Sequence, residues 1–243
     1  MYKGKTFLAI IPARGGSKRI PDKNILNIAK KPLIVWTIEA GLKSKYIDTV
    51  LVSTDSREIA SISKINGAEV PFLRPDYLSE DSSSTEDVVQ HAINYLKNNK
   101  KAFDYIILLQ PTSPLRDSSD IDTAIKFLIQ KNADAVISVC ECEHSPLWTN
   151  TLSKELSMKN FIVDKVKKTR SQDLPKYFRL NGAVFICKTA LFEKEKTFYL
   201  KDNIFAYIMK TDKSIDIDSK LDFEIASFLL EKKFELECME MHK

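Results

Sequence analysis

Thr6-Phe7-Leu8-Ala9-Ile10-Ile11 runs straight into Pro12-Ala13-Arg14-Gly15-Gly16-Ser17-Lys18-Arg19-Ile20-Pro21-Asp22-Lys23-Asn24. The first six residues form an apolar run short enough for a buried parallel strand, and such sheets bind ligands beyond the carboxyl ends of their strands. The loop therefore emerges where a ligand would sit. Gly15 and Gly16 predict a backbone free to turn its N–H groups inward as an anion nest. Arg14, Lys18, Arg19 and Lys23 add cationic side chains, so the expected guest is a triphosphate. The plainer alternative is a solvated basic turn. Neither the G-x-x-x-x-G-K-[ST] loop nor the dinucleotide G-x-G-x-x-G spacing occurs there.

Beyond this unit, short β-rich runs at Thr49–Ser53, Tyr105–Leu109, Ala135–Val139, Ala183–Ile186 and Ile204–Met209 alternate with amphipathic stretches at Pro32–Lys43, Ser56–Asn66, Thr85–Asn98 and Asp120–Asn132. That alternation predicts an α/β fold with a mainly parallel sheet and, through right-handed crossovers, helices on both faces. Ser83 stands three before Glu86 and Ser219 three before Asp222, both capping-box spacings. A final helix is expected to carry Leu221, Ile225, Phe228 and Leu229 as its apolar stripe. The pattern fails over residues 141–181, where charges are dense and Ser145-Pro146 and Leu174-Pro175 punctuate the run. A single domain over residues 1–243 with an excursion at 141–181 is expected.

With 243 residues, 44% of them apolar, the chain can bury a sizeable core, and a net charge of +4 is too mild to argue for a nucleic-acid partner. The run before Pro12 is well short of a signal-peptide core and no long apolar span follows, so no membrane partner and a cytoplasmic location are expected. Cys140, Cys142, Cys187 and Cys238 match no zinc or C-x-x-C spacing and read as free thiols.

Ile215-Asp216-Ile217-Asp218 alternates apolar and acidic residues, so an extended backbone puts both carboxylates on one face. Mg²⁺ typically takes one or two carboxylates plus substrate phosphates, which a triphosphate site supplies; the plain alternative is a helix cap and a solvated aspartate. Leu109-Gln110-Pro111-Thr112-Ser113-Pro114-Leu115-Arg116 reads as a proline-stiffened, substrate-facing loop in which Gln110 offers an amide to a hydroxylated sugar, or as a turn with Arg116 on the surface. Arg170 could present a planar fork to a carboxylate, in a run with Gln172 that leads to Asn181-Gly182. Arg74-Pro75 and Ser82-Ser83-Ser84 precede a helix N-terminus that favours an anion, although capping explains the serines equally well. Asp55 reads as a turn or cap on the ligand side. His91 and His144 have no partners at metal or triad spacing, and no G-x-S-x-G elbow is present.

Taken in order, IPARGGSKRIPDKN, STDS, RPDYLSED, LLQPTSPLR, RLNGAVFI and SIDIDSKLDFE resemble the acylneuraminate cytidylyltransferase family over Lys5 to Leu230. The resemblance implies a Rossmann-like nucleotidyltransferase fold that joins CTP to a nine-carbon α-keto acid sugar, an N-acylneuraminate or legionaminate, with Mg²⁺ and release of pyrophosphate. It implies triphosphate binding by Arg14, Gly15, Ser17, Lys18 and Lys23, and nucleotide contacts from Asn24, Arg74 and Ser84. Asp216 and Asp218 fall where the metal is held; Gln110, Arg170, Gln172 and Asn181 fall on the sugar side. A homodimer is implied, with the 146–181 segment reaching the partner. SKRIP resembles the pseudaminate-activating branch and LLQPTSPLR the neuraminate and legionaminate branch. Pseudaminate and 3-deoxy-manno-octulosonate are the alternative sugars, and a non-catalytic nucleotide sensor is the distant alternative.

Overall fold

β1 (Phe7–Pro12) is buried along almost its whole length, with Phe7 to Ile11 at most 1% exposed. A strand with no solvated face needs neighbours on both sides and layers above and below, and β1 has them. In the computed structural model it pairs in parallel with β4 (Thr49–Ser53) and β5 (Tyr105–Leu108). A small antiparallel hairpin, β2 (Asn27–Ile28) and β3 (Lys31–Pro32), follows the basic loop and was not foreseen. Residues 1–80, 82–164 and 166–240 are described, positions 171 and 236–240 by backbone alone, so the Cys238 side chain lies outside the described residues. Cys140, Cys142 and Cys187 are free thiols.

The main sheet has the order β4-β1-β5-β7-β6-β8, completed by β6 (Ala135–Glu141), β7 (Phe178–Lys188) and β8 (Ile204–Ile208). β6 pairs in parallel with β8, but β7 runs antiparallel to both β5 and β6. The sheet is thus mainly parallel with one reversed strand. The cause is the excursion: the described residues of 142–177 contain no α-helix or strand, only the short 3-10 turns Pro146–Trp148 and Ser171–Asp173. A chain that leaves the end of β6 without a crossover helix and returns to the same end must come back antiparallel. Glu141 and Phe178–Asn181 belong to these strands, so the irregular segment is narrower than the composition indicated.

Helices cover both faces. α1 (Leu33–Leu42), α2 (Arg57–Ile65) and α4 (Ser118–Gln130) pack Ile34, Ile38, Ile59, Ile121 and Leu128 against one face of the sheet. α3 (Thr85–Asn98) and the unforeseen α5 (Thr189–Glu195) set Val89, Ile93, Leu96 and Phe192 against the other. Burying one such aliphatic side chain contributes about 1.5–3 kcal/mol. Ser84, not Ser83, caps α3, its Oγ accepting from the Asp87 N–H at 3.0 Å. The expected Ser219–Asp222 box is present, with bonds of 2.7 and 3.3 Å in the two directions. It opens α6 (Lys220–Glu240).

α6 lies over the β2–β3 hairpin with a different face from the one expected. Ala226 and Leu230 are buried against Ile28, Leu33 and Ile217, and Trp36 meets Phe234 at 5.3 Å. Leu221, Ile225 and Phe228 of the expected stripe point outward, and only its fourth member, Leu229, packs against this cluster. No helix among the described residues is long and apolar enough to cross a membrane.

Candidate active site

Because β1, β4, β5 and β8 run the same way, the segments that follow them gather at one edge of the sheet. The chain passes from β1 outward to β4 and then back across to β5, so a crevice opens between diverging connections. A cleft of about 580 Å³ lies here, walled by the basic loop, the N-terminus of α3, the Gln110 loop and the acidic segment after β8. It brings together Arg14, Ser17, Lys18, Lys23, Asn24, Arg74, Ser84, Gln110, Asp216 and Asp218.

The basic loop is pinned from behind. Ala13 N–H donates to the Ser53 carbonyl at 2.9 Å, Gly15 N–H to the Asp55 carboxylate at 2.9 Å, and the Asn24 amide to the Arg14 carbonyl at 3.0 Å. The expected glycine nest is corrected by these bonds. Gly15 spends its N–H on Asp55, and neither Gly15 nor Gly16 is among the left-handed glycines. Gly15 answers to space instead, since a Cβ there would lie a tight 3.2 Å from the Ser56 Cβ at the cap of α2. The left-handed turn of the loop falls on Asp22, φ 53°. Charge at this wall therefore comes mainly from side chains, with Arg14, Lys18, Arg19 and Lys23 all facing the cleft.

Opposite stands the acidic pair. Ile217 is fully buried and its N–H donates to the Thr112 carbonyl at 2.9 Å, which fixes the extended segment and turns Asp216 and Asp218 into the cleft. The segment is extended without being a ladder strand. Burial, and next the neighbouring Asp218, raise the Asp216 carboxyl above its ordinary range despite a hydrogen bond from Thr112. Lys23 reaches across, its Nζ donating to the Ile217 carbonyl at 2.6 Å, and burial lowers its pKa more than the two aspartates restore it. Arg19 pairs with Asp218 at 2.9 Å. Two carboxylates on one face, one of them desolvated and both beside cations suited to phosphate, are a donor set that fits Mg²⁺ shared with a polyphosphate.

Gln110 lies between these walls, and its closest neighbour explains the Asn181-Gly182 motif. Gly182 is left-handed at φ +71°, and a Cβ there would meet Gln110 Oε1 at 2.6 Å and Asp216 Oδ2 at 3.6 Å. A glycine lets β7 pass this close behind the Gln110 amide in a left-handed conformation, while the Asp216 distance is an ordinary contact. Arg116 is not on the surface; it is buried, with its guanidinium on the carbonyls of Gln110 and Ala183.

On the other side of the cleft Arg74 is 5% exposed, with Nε on Ser79 Oγ at 3.1 Å and Nη2 3.6 Å from Asp55 Oδ1, an ion pair beyond hydrogen-bond reach. That leaves Nη2 a buried donor without a hydrogen-bond partner at the cleft wall, as a group waiting for a ligand acceptor would be. Ser84 and Thr85 present the N-terminal turn of α3 beside it.

Three expected sugar-side residues are not brought to this cleft. Arg170 is exposed and pairs with Asp173 at 2.8 Å, with Gln172 between them, also exposed. Asn181 is 1% exposed and fully engaged: its amide donates to Ser214 Oγ at 2.9 Å, and its carbonyl oxygen accepts from Ser138 Oγ at 2.6 Å. It holds β6, β7 and the acidic segment together. Asp55, which had read as a turn or cap, joins the basic loop to Arg74; nothing in its local sequence signals a partner 40 positions away.

Residues 8–240 match the family model described as Cytidylyltransferase. The chain belongs to the cytidylyltransferase family. It is accordingly a nucleotidyltransferase. It is 36% identical over 222 residues to a pseudaminic acid cytidylyltransferase of Campylobacter jejuni, covering 91% of this chain and 95% of that one. It is 35% identical over 233 residues to a CMP-N,N'-diacetyllegionaminic acid synthase of Legionella pneumophila, covering 92% and 96%. An N-acylneuraminate cytidylyltransferase of Escherichia coli is 35% identical over 227 residues, 93% of this chain but only 52% of that protein; the chain spans about half its length. The fold is shared with a CMP:2-keto-3-deoxy-manno-octonic acid synthetase solved with CTP, at a TM-score of 0.69 and 17% identity over 94% of this chain and 99% of that one.

Proposed function

We propose that this cytidylyltransferase activates a nine-carbon α-keto acid sugar, an N-acylneuraminate or legionaminate, with CTP, giving the CMP-sugar and pyrophosphate. The observation that carries the reading is one cleft in which Arg14, Lys18, Arg19 and Lys23 face Asp216 and Asp218 with Gln110 between them. The anomeric hydroxyl attacks the α-phosphorus in line and gives up its proton to water in the cleft, while the bond to the oxygen bridging to the β-phosphate breaks and pyrophosphate leaves with that electron pair. Arg14, Lys18 and Lys23 hold the triphosphate and offset the charge that grows on the leaving group. Arg74 Nη2, ion-paired with Asp55 at 3.6 Å but without a hydrogen-bond acceptor, and the α3 N-terminus supply donors on the nucleoside side. Gln110 supplies its amide to the sugar. Asp216 and Asp218 would hold Mg²⁺, which when bound supplies further charge neutralisation at the phosphates.

Pseudaminate is the second reading, favoured by the Campylobacter jejuni relative and by Arg19, which follows Lys18 as in the pseudaminate-type SKRIP. The reaction is placed in the cytoplasm, where CTP is available. A homodimer is also proposed: residues 142–177 expose Leu152, Leu156, Met158 and Val163, apolar surface that a second copy would cover, and Arg170 and Gln172 belong to the same segment.

The test is pyrophosphate release with CTP and Mg²⁺ against N-acetylneuraminate, legionaminate, pseudaminate and 3-deoxy-manno-octulosonate. Turnover with either of the first two supports the reading; turnover with another sugar alone moves the assignment to it. Binding of CTP without release on any of the four contradicts transfer to this class of acceptor.

A further inference from the structure

Among the described residues Arg116, 2% exposed, is the largest fully buried side chain, yet it forms no close ion pair with any of them; Asp117 and Asp120 act on it only through space. Its hydrogen bonds go to three separate segments. Nη1 donates to the Gln110 carbonyl at 3.2 Å and to the Ala183 carbonyl at 3.0 Å, and Nη2 donates to Thr37 Oγ1 at 2.6 Å. Thr37 Oγ1 in turn donates to the same Gln110 carbonyl at 3.4 Å. Nε is left buried without a partner.

Burying a guanidinium with one N–H unpaired is costly, and an apolar side chain would fill the same space at less expense in stability. What an apolar residue could not do is tie a carbonyl of the Gln110 loop, a carbonyl of β7 and a hydroxyl of α1 together through one planar group. Both carbonyls belong to the walls that matter. Gln110 carries the amide in the cleft, and Ala183 follows Gly182, whose missing Cβ makes room for that amide.

We infer that Arg116 is a positioning residue for the acceptor sugar: from behind the cleft it locks the Gln110 loop to β7 and α1, and so fixes where the Gln110 amide meets the sugar. The inference rests on the proposed reading of Gln110 as the sugar-facing group. A lysine at this position keeps the charge but offers no planar fork, so it cannot hold both carbonyls and Thr37 at once. A shift of the loop on the order of 1 Å would lower sugar turnover about 100-fold while leaving the nucleotide half untouched.

The experiment compares the full-length wild type, Arg116→Lys, Gln110→Ala and the double variant by pyrophosphate release, with CTP affinity measured calorimetrically in each. Arg116→Lys is expected to lower kcat/KM for the sugar about 30- to 100-fold with CTP affinity within about twofold. The double variant is expected to be no worse than Gln110→Ala within about threefold, because Arg116 acts through Gln110. A residue that merely supports the fold would give losses that multiply. Multiplying losses, or an Arg116→Lys enzyme with wild-type sugar kinetics, would overturn the inference. If Arg116→Lys fails to bind CTP at all, Thr37→Val, which removes the shared hydroxyl at similar shape, is put through the same cycle with the same criteria. A wild type silent on every sugar overturns the acceptor reading and this inference together, whereas multiplying losses in an active enzyme overturn this inference alone.

Discussion

Replacing Gly182 by alanine tests the acceptor wall with a single methyl group. The new Cβ would stand 2.6 Å from Gln110 Oε1, and relieving that contact to an ordinary separation moves the amide by about 0.8 Å. Asp216 Oδ2 and Ser113 Oγ, both 3.6 Å from the Cβ, are at ordinary contact distance, so the displacement falls on Gln110. The backbone adds its own cost, since φ +71° is left-handed and disfavours any side chain by about 1–2 kcal/mol. Melting should fall by roughly 2–8 °C, given about 2–4 °C per kcal/mol for a domain of this size. Displacing a substrate-positioning group by nearly 1 Å costs on the order of 100-fold in turnover, so kcat/KM for the sugar should drop by about that much. CTP affinity should stay within a few-fold, because the basic loop and α3 are untouched. Scanning fluorimetry, pyrophosphate release and CTP calorimetry give the three readings. A variant with unchanged melting and sugar kinetics would refute the claim that Gly182 makes room for Gln110.

Asp216→Asn should abolish turnover while leaving the melting temperature within a few degrees, and retention of near-full activity in Mg²⁺ would remove Asp216 from the metal site. In the wild type, Mn²⁺ binding in the presence of CTP should weaken as pH falls, beginning above the ordinary carboxylate range of about 4, because burial raises the Asp216 carboxyl and a proton then competes with the cation. Paramagnetic titration across pH checks the sign: affinity rising as pH falls would contradict it. Asp55→Asn weakens the tie to the Gly15 N–H and removes the charge facing Arg74; CTP affinity should drop about 5- to 20-fold with sugar KM unchanged. Calorimetry with CTP alone decides that. Burial pushes the Cys187 thiol up to about 12, so brief alkylation of the native chain at pH 8 should spare Cys187 and modify the half-buried Cys142 before it, as read by peptide mass spectrometry.

The parts of the fold readable from sequence were those set by local pattern. β1 and β4, α3 to the residue, and the same-face geometry of Asp216 and Asp218 all follow from periodicity that a reader can count. The reversal of β7 was implicit in an excursion without a crossover helix, yet it was read as one more run in a parallel series. The stripe of α6 went wrong because two apolar faces compete on that helix, and the docking partner, the β2–β3 hairpin, had not been foreseen. Residues that act by reaching across the fold gave no signal at all. Asp55 meets Gly15, Arg116 meets Ala183, and Asn181 meets Ser138 and Ser214, each contact made only once the sheet has formed. The glycine pair illustrates the reverse error: it was read as an anion nest, but Gly15 is small because α2 begins beside it.

The account stands on the claim that the basic loop and the acidic pair share one nucleotide. Anomalous diffraction from crystals grown with CTP and Mn²⁺ tests it directly. The expected result is a manganese peak coordinated by Asp216 and Asp218 and by phosphate oxygens, with the triphosphate against Arg14, Lys18 and Lys23. CTP bound outside this cleft, or manganese held away from both aspartates, would contradict it.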